Sequence, residues 1–320
     1  MRPVLVKLTE LGAKPIEQLS VEQARSQSTP ADAVQAVLKG QGKDPQALMT
    51  ALGVDKRDMT YPGPGGDQQL RLYSPRNAGG MLPVIVYFHG GGWVIADIDT
   101  YEASAMTLAH KTGAIVVSVS YRKAPEHKFP AAHDDAFAAY LWVMGNAASF
   151  NGDAARVMVA GESAGGNLAA SVALMARQQN QPLPRHMLLV YPIAGTDTDT
   201  PSYRQFSNAT PLSKAGMEWF FDKALARPED KQSPLLNLYN GADLSGLPPA
   251  TIISAEIDPL ASDGERLFEA LRRAGVATTR HVSTGVTHEF FGMDAVLDDA
   301  RRAQDFAVNE ISQAFATSRR

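Results

Sequence analysis

The 320-residue chain contains no cysteine. Disulfide bridges, thiolate metal sites and a cysteine nucleophile are therefore all excluded. The lack of cysteine is also compatible with a reducing cytoplasm, which is the location we expect; the periplasm is the alternative location. The N-terminal apolar stretch is short and interrupted by Lys7, so it does not have the continuous apolar core of a signal peptide.

Neither a strong excess of charge nor a long apolar run is present. The 30 basic and 34 acidic residues leave a net charge of −4, so we expect no nucleic-acid partner. No window holds the roughly 18 apolar residues that a membrane span requires. The composition, 44% apolar and 20% charged, is instead that of an ordinary globular protein.

Beyond about residue 66, short apolar runs alternate with helical patterns. The run Pro83–Phe88 is apolar throughout, as expected of a strand that is buried on both faces of a parallel sheet. This alternation predicts an α/β fold with a mostly parallel, twisted central sheet and helices on both faces. Other strands are predicted at 69–73 (an edge strand), 114–119, 157–160, 187–190, 251–254 and 277–283, and helices at 131–144, 164–177, 262–273 and 298–314.

Two segments depart from this alternation. The first 50 or so residues have helical patterns, with predicted helix starts at Thr29-Pro30 and Pro45. A turn-rich segment, 61–66, follows them. We predict a helical cap built from residues 1–55 and from an insertion at about 195–240, and a main domain over residues 56–320.

A serine stands directly after the predicted strand 157–160, in the sequence Gly161-Glu162-Ser163-Ala164-Gly165. The pattern Gly-x-Ser-x-Gly is typical of a nucleophile elbow, a sharp strand-to-helix turn that holds a reactive serine. A helical pattern follows, and a helix N-terminus stabilises negative charge near the serine. A solvated serine in a glycine-rich turn is the competing structural interpretation.

A glycine run, Gly90–Gly92, follows another predicted strand and is preceded by His89. The backbone N–H groups of such a loop approach a ligand closely and can stabilise the oxyanion that develops in acyl transfer. We interpret His89 as a structural residue, and a flexible loop is the alternative for the glycines. The predicted oxyanion donors are the amides of Gly91, Gly92 and Ala164.

The positions of three later histidines separate a candidate base from the others. His186 begins a predicted strand and His281 lies within one, whereas His288 lies in the loop after strand 277–283. In the fold that contains this serine elbow, the chain order is serine, acid, histidine. His288 is therefore the predicted base.

The predicted acid is Asp258, which follows strand 251–254 and precedes Pro259. Asp263 and Glu256 are the alternatives. Asp263 is expected instead to cap the helix that begins nearby.

These motifs together resemble those of the hormone-sensitive-lipase-like carboxylesterases, the bacterial family IV esterases of the α/β-hydrolase fold. The resemblance implies that fold with a helical cap, and Ser163, Asp258 and His288 as a catalytic triad. Two residues depart from the family pattern: Glu162 stands where aspartate is usual, and Glu289 where glycine is frequent. The matching segments are 89–93, 121–126, 129–132, 161–167, 258–260 and His288.

The implied activity is hydrolysis of short-acyl carboxylic esters through an acyl-enzyme, without a metal or another cofactor. The partner would then be a small-molecule ester, and the sequence is also compatible with a homodimer. An amidase or arylformamidase on the same fold is one alternative. A non-catalytic ligand receptor is the other, and the presence of both Ser163 and His288 argues against it.

Aromatic residues near these motifs predict a short substrate pocket, because bulky rings limit its depth. Phe220 and Phe221 are interpreted equally well as pocket or as core. The residues predicted to line the pocket are Trp93, Phe206, Trp219, Phe290 and Phe291.

Overall fold

An eight-stranded sheet forms the centre of the structure, a computed structural model that describes residues 1–76 and 78–316. The strand order is β1-β2-β4-β3-β5-β6-β7-β8. β1, β2 and β4 pair antiparallel, and all other neighbours pair parallel. The predicted mostly parallel sheet is confirmed. The strands are β1 (Val54–Gly63), β2 (Gly66–Pro75), β3 (Leu82–Phe88), β4 (Ile115–Val119), β5 (Gly152–Glu162), β6 (Met187–Val190), β7 (Ala250–Ile257) and β8 (Thr278–Thr287).

Four α-helices precede the sheet. The start of α3 follows from its sequence: the Thr29 hydroxyl accepts from the Asp32 amide, and the Asp32 carboxylate accepts from the Thr29 amide. This reciprocal cap satisfies two of the free N–H groups of the helix start. Both predicted helix starts are confirmed. The helices are α1 (Arg2–Glu10), α2 (Val21–Ser26), α3 (Pro30–Gly40) and α4 (Pro45–Ala51), with a 3-10 turn at Ile16–Gln18.

Helices cover both faces of the sheet, as predicted. Because successive side chains of a strand point to opposite faces, Val84 and Val86 of β3 enter one apolar cluster, and Ile85 and Tyr87 enter another. The first cluster contains α6 (Ala131–Asn146), α7 (Ala164–Gln178) and α11 (Ala261–Arg273), and the second contains α5 (Glu102–Thr112) and α12 (Asp298–Ala316).

The sequence interpretation missed two elements. β1 was not predicted, because most of its side chains are exposed and its pattern is polar. The segment 61–66 is therefore the turn of a β1–β2 hairpin, and β2 is an inner strand instead of the edge. Helix α5 was also missed, although six of its eleven side chains are buried.

The segment between β6 and β7 carries three short helices. It contains α8 (Pro201–Gln205), α9 (Lys214–Ala224) and α10 (Leu238–Gly241). The N-cap of α9 touches the N-terminal segment, where the Ser213 hydroxyl donates to Glu17 over 3.4 Å. Throughout the described ranges, no helix is both long enough and apolar enough to cross a membrane.

Candidate active site

Ser163 occupies a sharp turn between β5 and α7. Its φ is +57°, a region that L-residues other than glycine rarely adopt. The turn needs glycine on both sides, because a β-carbon at Gly161 would collide with the Gly165 carbonyl oxygen. A β-carbon at Gly165 would likewise collide with the carbonyl oxygen of Phe88. The local sequence thus holds a buried serine at the first turn of a helix.

Three predicted residues meet in one hydrogen-bonded chain. His288 Nε2 lies 3.0 Å from Ser163 Oγ, and His288 Nδ1 lies 2.7 Å from Asp258 Oδ2. Asp258 is fixed in turn, since its Oδ1 accepts from the Leu260 amide over 2.9 Å. All three side chains are buried. A histidine that donates Nδ1–H to Asp258 presents an unprotonated Nε2 to the serine hydroxyl.

The electrostatic surroundings favour a charged His288. Burial by itself lowers the pKa of the imidazole, but the negative charge of the adjacent Asp258 and its hydrogen bond to the ring act in the opposite direction. Glu289 and Glu162 act in the same direction as Asp258, and the pKa of His288 is raised above its ordinary value. The site therefore stabilises the imidazolium that forms when His288 accepts a proton.

The glycine loop after β3 presents free backbone donors. Within residues 1–76 and 78–316, no acceptor pairs with the amides of Gly91, Gly92 or Ala164. Positive φ angles of +93° at Gly91 and +58° at Gly92 turn the loop. The Val94 and Ile95 amides bond back to the Gly91 carbonyl over 3.0 and 2.9 Å, which fixes its shape.

His89 has the structural role that its position suggested. Its ring stacks on Tyr121 at 4.3 Å between centroids, and Tyr121 Oη donates to the His89 carbonyl over 2.9 Å. Burial lowers the pKa of His89 to about 4, so the ring is neutral near pH 7.

A cavity of about 580 Å³ opens above Ser163 and His288. Its walls come from the glycine loop, the N-terminal segment and the insertion before β7. On the glycine loop, the Phe220 ring packs so closely on Gly92 that any β-carbon there would collide with it. The apolar side of the wall includes Leu8, Ile16, Ile95, Leu212, Met217 and Phe220.

The pocket prediction for the five aromatic residues is wrong, since none of them lines this cavity. Trp93 turns away into the core and packs near Phe221, at 6.3 Å between ring centroids. Phe290 and Phe291 are fully buried in the apolar cluster of the opposite sheet face.

The other two aromatic residues belong to the insertion. Trp219 packs on the side of Phe220, at 5.3 Å between centroids, and Phe206 ends α8. Of the two rings whose role was left open, both belong to the buried apolar cluster, and Phe220 also lines the cavity whereas Phe221 does not.

The two alternative acids lie elsewhere. The Glu256 carboxylate is exposed and accepts from the Gly285 amide over 2.7 Å. Asp263 is fully buried and accepts from the Ala194 and Gly195 amides over 3.0 and 3.1 Å. The expectation that Asp263 caps its own helix is wrong, because α11 already begins at Ala261. Asp263 instead anchors the start of the insertion, and burial raises its pKa to about 7.

A buried network beneath the triad could not be derived from the sequence. Glu162 accepts hydrogen bonds from the hydroxyls of Tyr87, over 2.6 Å, and Tyr191. The Tyr191 ring in turn lies 4.4 Å from the His288 ring. Burial raises the pKa of Glu162 to about 7, although the hydroxyl donors partly offset it. In the sequence, the position of Glu162 directly before the serine was the only sign that it has a role at the site. Its hydrogen-bond partners Tyr87 and Tyr191 lie on other elements, so the sequence did not reveal them.

Glu289 lies on the cavity side of the triad. Its φ is +70°, and its Oε1 accepts from Tyr101 Oη over 2.6 Å. Burial raises the pKa of Glu289, and His288 and Tyr101 partly offset this effect. As for metals, the described residues contain no group of three or more histidine, aspartate or glutamate side chains arranged so that it could hold a metal ion.

Hydrogen bonds join the serine of a nucleophile elbow to a histidine and the histidine to an aspartate, and free loop amides lie beside the serine. This arrangement defines a serine hydrolase of the α/β-hydrolase class. Comparisons with known proteins agree. A family model described as "alpha/beta hydrolase fold" matches residues 85–292. The chain belongs to this family and, within it, to the hormone-sensitive-lipase-like family IV esterases.

Several of the relatives are named as ester hydrolases. Carboxylesterase NlhH of Mycobacterium tuberculosis is 39% identical over 265 residues, which cover 82% of each chain. An ethyl acetate hydrolase of Pseudomonas putida is 31% identical over 93% of this chain and 92% of its own. A solved thermostable esterase from Pseudomonas putida superposes with a TM-score of 0.87 at 31% identity, over 99% and 98% of the two chains. The protein is accordingly a carboxylic ester hydrolase.

Proposed function

We propose that this enzyme hydrolyses short-acyl carboxylic esters with Ser163 as nucleophile, His288 as base and Asp258 as the residue that orients the base. The hydrogen-bonded chain from Asp258 to Ser163 carries the proposal. Ser163 Oγ attacks the ester carbonyl carbon while His288 Nε2 takes the hydroxyl proton. The same proton then passes to the leaving alcohol, and an acyl-enzyme remains.

In the second half of the reaction, His288 accepts a proton from water, and the hydroxide equivalent attacks the acyl-enzyme. The acid is released and the proton returns to Ser163. In both steps, the amides of Gly91, Gly92 and Ala164 stabilise the negative carbonyl oxygen. Among the described residues, none accepts a hydrogen bond from these amides, which supports this role.

The walls of the cavity support a preference for short acyl chains. Phe220 packs on Gly92 and forms the cavity wall next to the proposed oxyanion donors, where its bulky ring leaves less room for a long acyl chain. Each methylene that enters an apolar pocket adds about 0.8 kcal/mol of binding, whereas methylenes beyond its end add nothing. We assign residues 1–55 and 195–240 to a helical cap, because both segments contribute to the cavity wall.

A fluorophosphonate probe tests the nucleophile directly, because only an activated serine reacts with it. We expect labelling of the wild type and none of Ser163→Ala, with a loss of kcat on the order of 10⁶-fold. Kinetics on p-nitrophenyl esters of two to twelve carbons, with an anilide included, test the substrate class. Labelling of Ser163→Ala, or a maximum of kcat/KM at ten carbons or more, would contradict the proposal.

We also propose a homodimer and a cytoplasmic location. The edge strand β8 supports the first, since the Val282 side chain on it is 41% exposed and an open strand can pair with a second copy. Sedimentation of the wild type and of Val282→Lys would test it. The lack of cysteine supports the second, and cell fractionation would test it.

A further inference from the structure

Glu289 places a carboxylate next to the reacting atoms. Its Oε1 lies 3.8 Å from His288 Nε2, the same nitrogen that lies 3.0 Å from Ser163 Oγ. The cavity wall contains two other carboxylates, Glu17 and Asp97. Glu17 contacts the insertion at Ser213, and Asp97 accepts from Thr100. Of these three, only Glu289 is in contact with the triad.

The backbone and one partner hold Glu289 in this place. A φ of +70° is the left-handed conformation that glycine adopts without strain and that a longer side chain rarely adopts. The carboxylate is nevertheless fixed, because Tyr101 Oη donates to its Oε1 over 2.6 Å. A strained residue that is anchored by its side chain at an active site points to a functional role.

The carboxylate has unused capacity that faces the cavity. An ionised carboxylate can accept about four hydrogen bonds. Among the described residues, Tyr101 is its one hydrogen-bond donor. The side chain is 21% exposed, and this exposed part lines the cavity. A substrate group that carries a positive charge could therefore approach it.

The cations in the cavity wall do not cancel this charge. Arg25 is already paired with both oxygens of Glu126 and with the Val94 and Ala124 carbonyls. Lys123 donates to the Ala96 carbonyl over 2.6 Å, and the nearby Asp97 carboxylate offsets its charge. Lys14 lies on the N-terminal segment and is exposed to solvent. Within the described residues, none of the three forms an ion pair with Glu289, so no lysine or arginine neutralises the carboxylate beside Ser163 and His288.

We propose that Glu289 makes this enzyme select esters that carry a positive charge close to the scissile bond, such as short-acyl esters of quaternary amino alcohols. The proposal rests on the esterase function and names the substrate class of that same site. An ammonium group two carbons from the ester oxygen would lie near the carboxylate, whereas an anionic substituent would be repelled.

An isosteric pair of substrates separates charge from shape. Acetylcholine and 3,3-dimethylbutyl acetate have the same branched end, with a positive nitrogen in one and a neutral carbon in the other. At pH 8, the wild type should have the higher kcat/KM for acetylcholine. In Glu289→Gln, the ratio of the two kcat/KM values should fall about tenfold, as expected when one charge of a close, partly solvated pair is removed. Glu289→Asp keeps the charge and should retain part of the selectivity.

The matched control is Glu17→Gln, which removes a carboxylate from the same cavity wall away from the triad and should leave the ratio unchanged. The inhibition constants of choline and 3,3-dimethylbutan-1-ol give the same ratio without turnover. A wild-type ratio at or below one, or one within twofold of that of Glu289→Gln, would overturn the proposal. Failure of the esterase function is a separate result, namely no hydrolysis of p-nitrophenyl butyrate and no fluorophosphonate labelling.

Discussion

The assignment of Asp258 as the acid of the triad can be tested by replacing Asp258 and Asp263, in separate variants, with asparagine. Asp258 and Asp263 are close in sequence and both fully buried, but only Asp258 contacts His288. In Asp258→Asn, the amide can donate to Nδ1 and so favour the tautomer that carries its proton on Nε2. That tautomer cannot accept the Ser163 proton. We expect kcat/KM to fall about 10⁴-fold, as the same change does in serine proteases.

The geometry accounts for this magnitude. A fall of 10⁴-fold is about 5.4 kcal/mol of transition-state stabilisation. With the carboxylate hydrogen-bonded to Nδ1 at 2.7 Å, the two charge centres are about 4 Å apart, which is worth about 4 kcal/mol at an effective dielectric constant of 20. The loss of the correct tautomer accounts for the remainder.

Asp263→Asn should leave kcat/KM within about threefold of the wild type. The asparagine oxygen can still accept from the Ala194 and Gly195 amides, so the start of the insertion keeps its anchor. The pH dependence of stability should change instead. Burial raises the pKa of Asp263 to about 7, so the folded wild type retains a proton that the unfolded chain loses near pH 4.

The wild type should therefore lose stability as the pH rises from about 4 to 7. The asparagine variant does not have this contribution, so the Tm of the variant minus the Tm of the wild type should increase over the same pH range. The assay is kcat/KM on p-nitrophenyl butyrate at pH 8, with thermal unfolding of each variant at pH 5 and pH 8. A larger loss of activity in Asp263→Asn than in an equally folded Asp258→Asn would refute the acid assignment.

Three further changes test the pocket, the base and the absence of a metal. Phe220→Ala should move the optimum of kcat/KM to longer acyl chains, with a gain of about fourfold in kcat/KM for each added methylene that the enlarged cavity accommodates. The control is Phe221→Leu, because Phe221 is buried in the core and does not line the cavity, so this change should leave the optimum where it is. Equal shifts in both variants would contradict the role of Phe220. Glu289→Gln removes a charge that raises the pKa of His288, so the acidic limb of the pH profile of kcat/KM should shift to lower pH. A shift to higher pH would show that the Glu289 charge does not raise the pKa of His288. EDTA should leave activity unchanged, and inactivation that a divalent ion restores would show a metal requirement.

Local motifs, together with the chain order of serine, acid and histidine, predicted the residues of the proposed reactive centre. The serine elbow, the glycine run and the histidine after the last strand are local patterns, because each depends on a turn that its own sequence must permit. At Gly161 and Gly165, this requirement is steric, and no other residue fits. The buried strands were equally clear, since a strand such as β3 that is covered on both faces is apolar throughout.

Only the tertiary structure decided which rings form the pocket and which acids surround the base. Phe220 and Phe221 are adjacent and chemically identical, but α9 turns one toward the glycine loop and the other into the core. Asp258 and Asp263 likewise differ in what reaches them: the His288 ring in one case, the Ala194 and Gly195 amides in the other. Tyr101 joins Glu289 across 188 residues of chain. Such contacts depend on how helices and loops pack against one another. Composition and periodicity describe each segment only by itself, so they do not predict which segments meet.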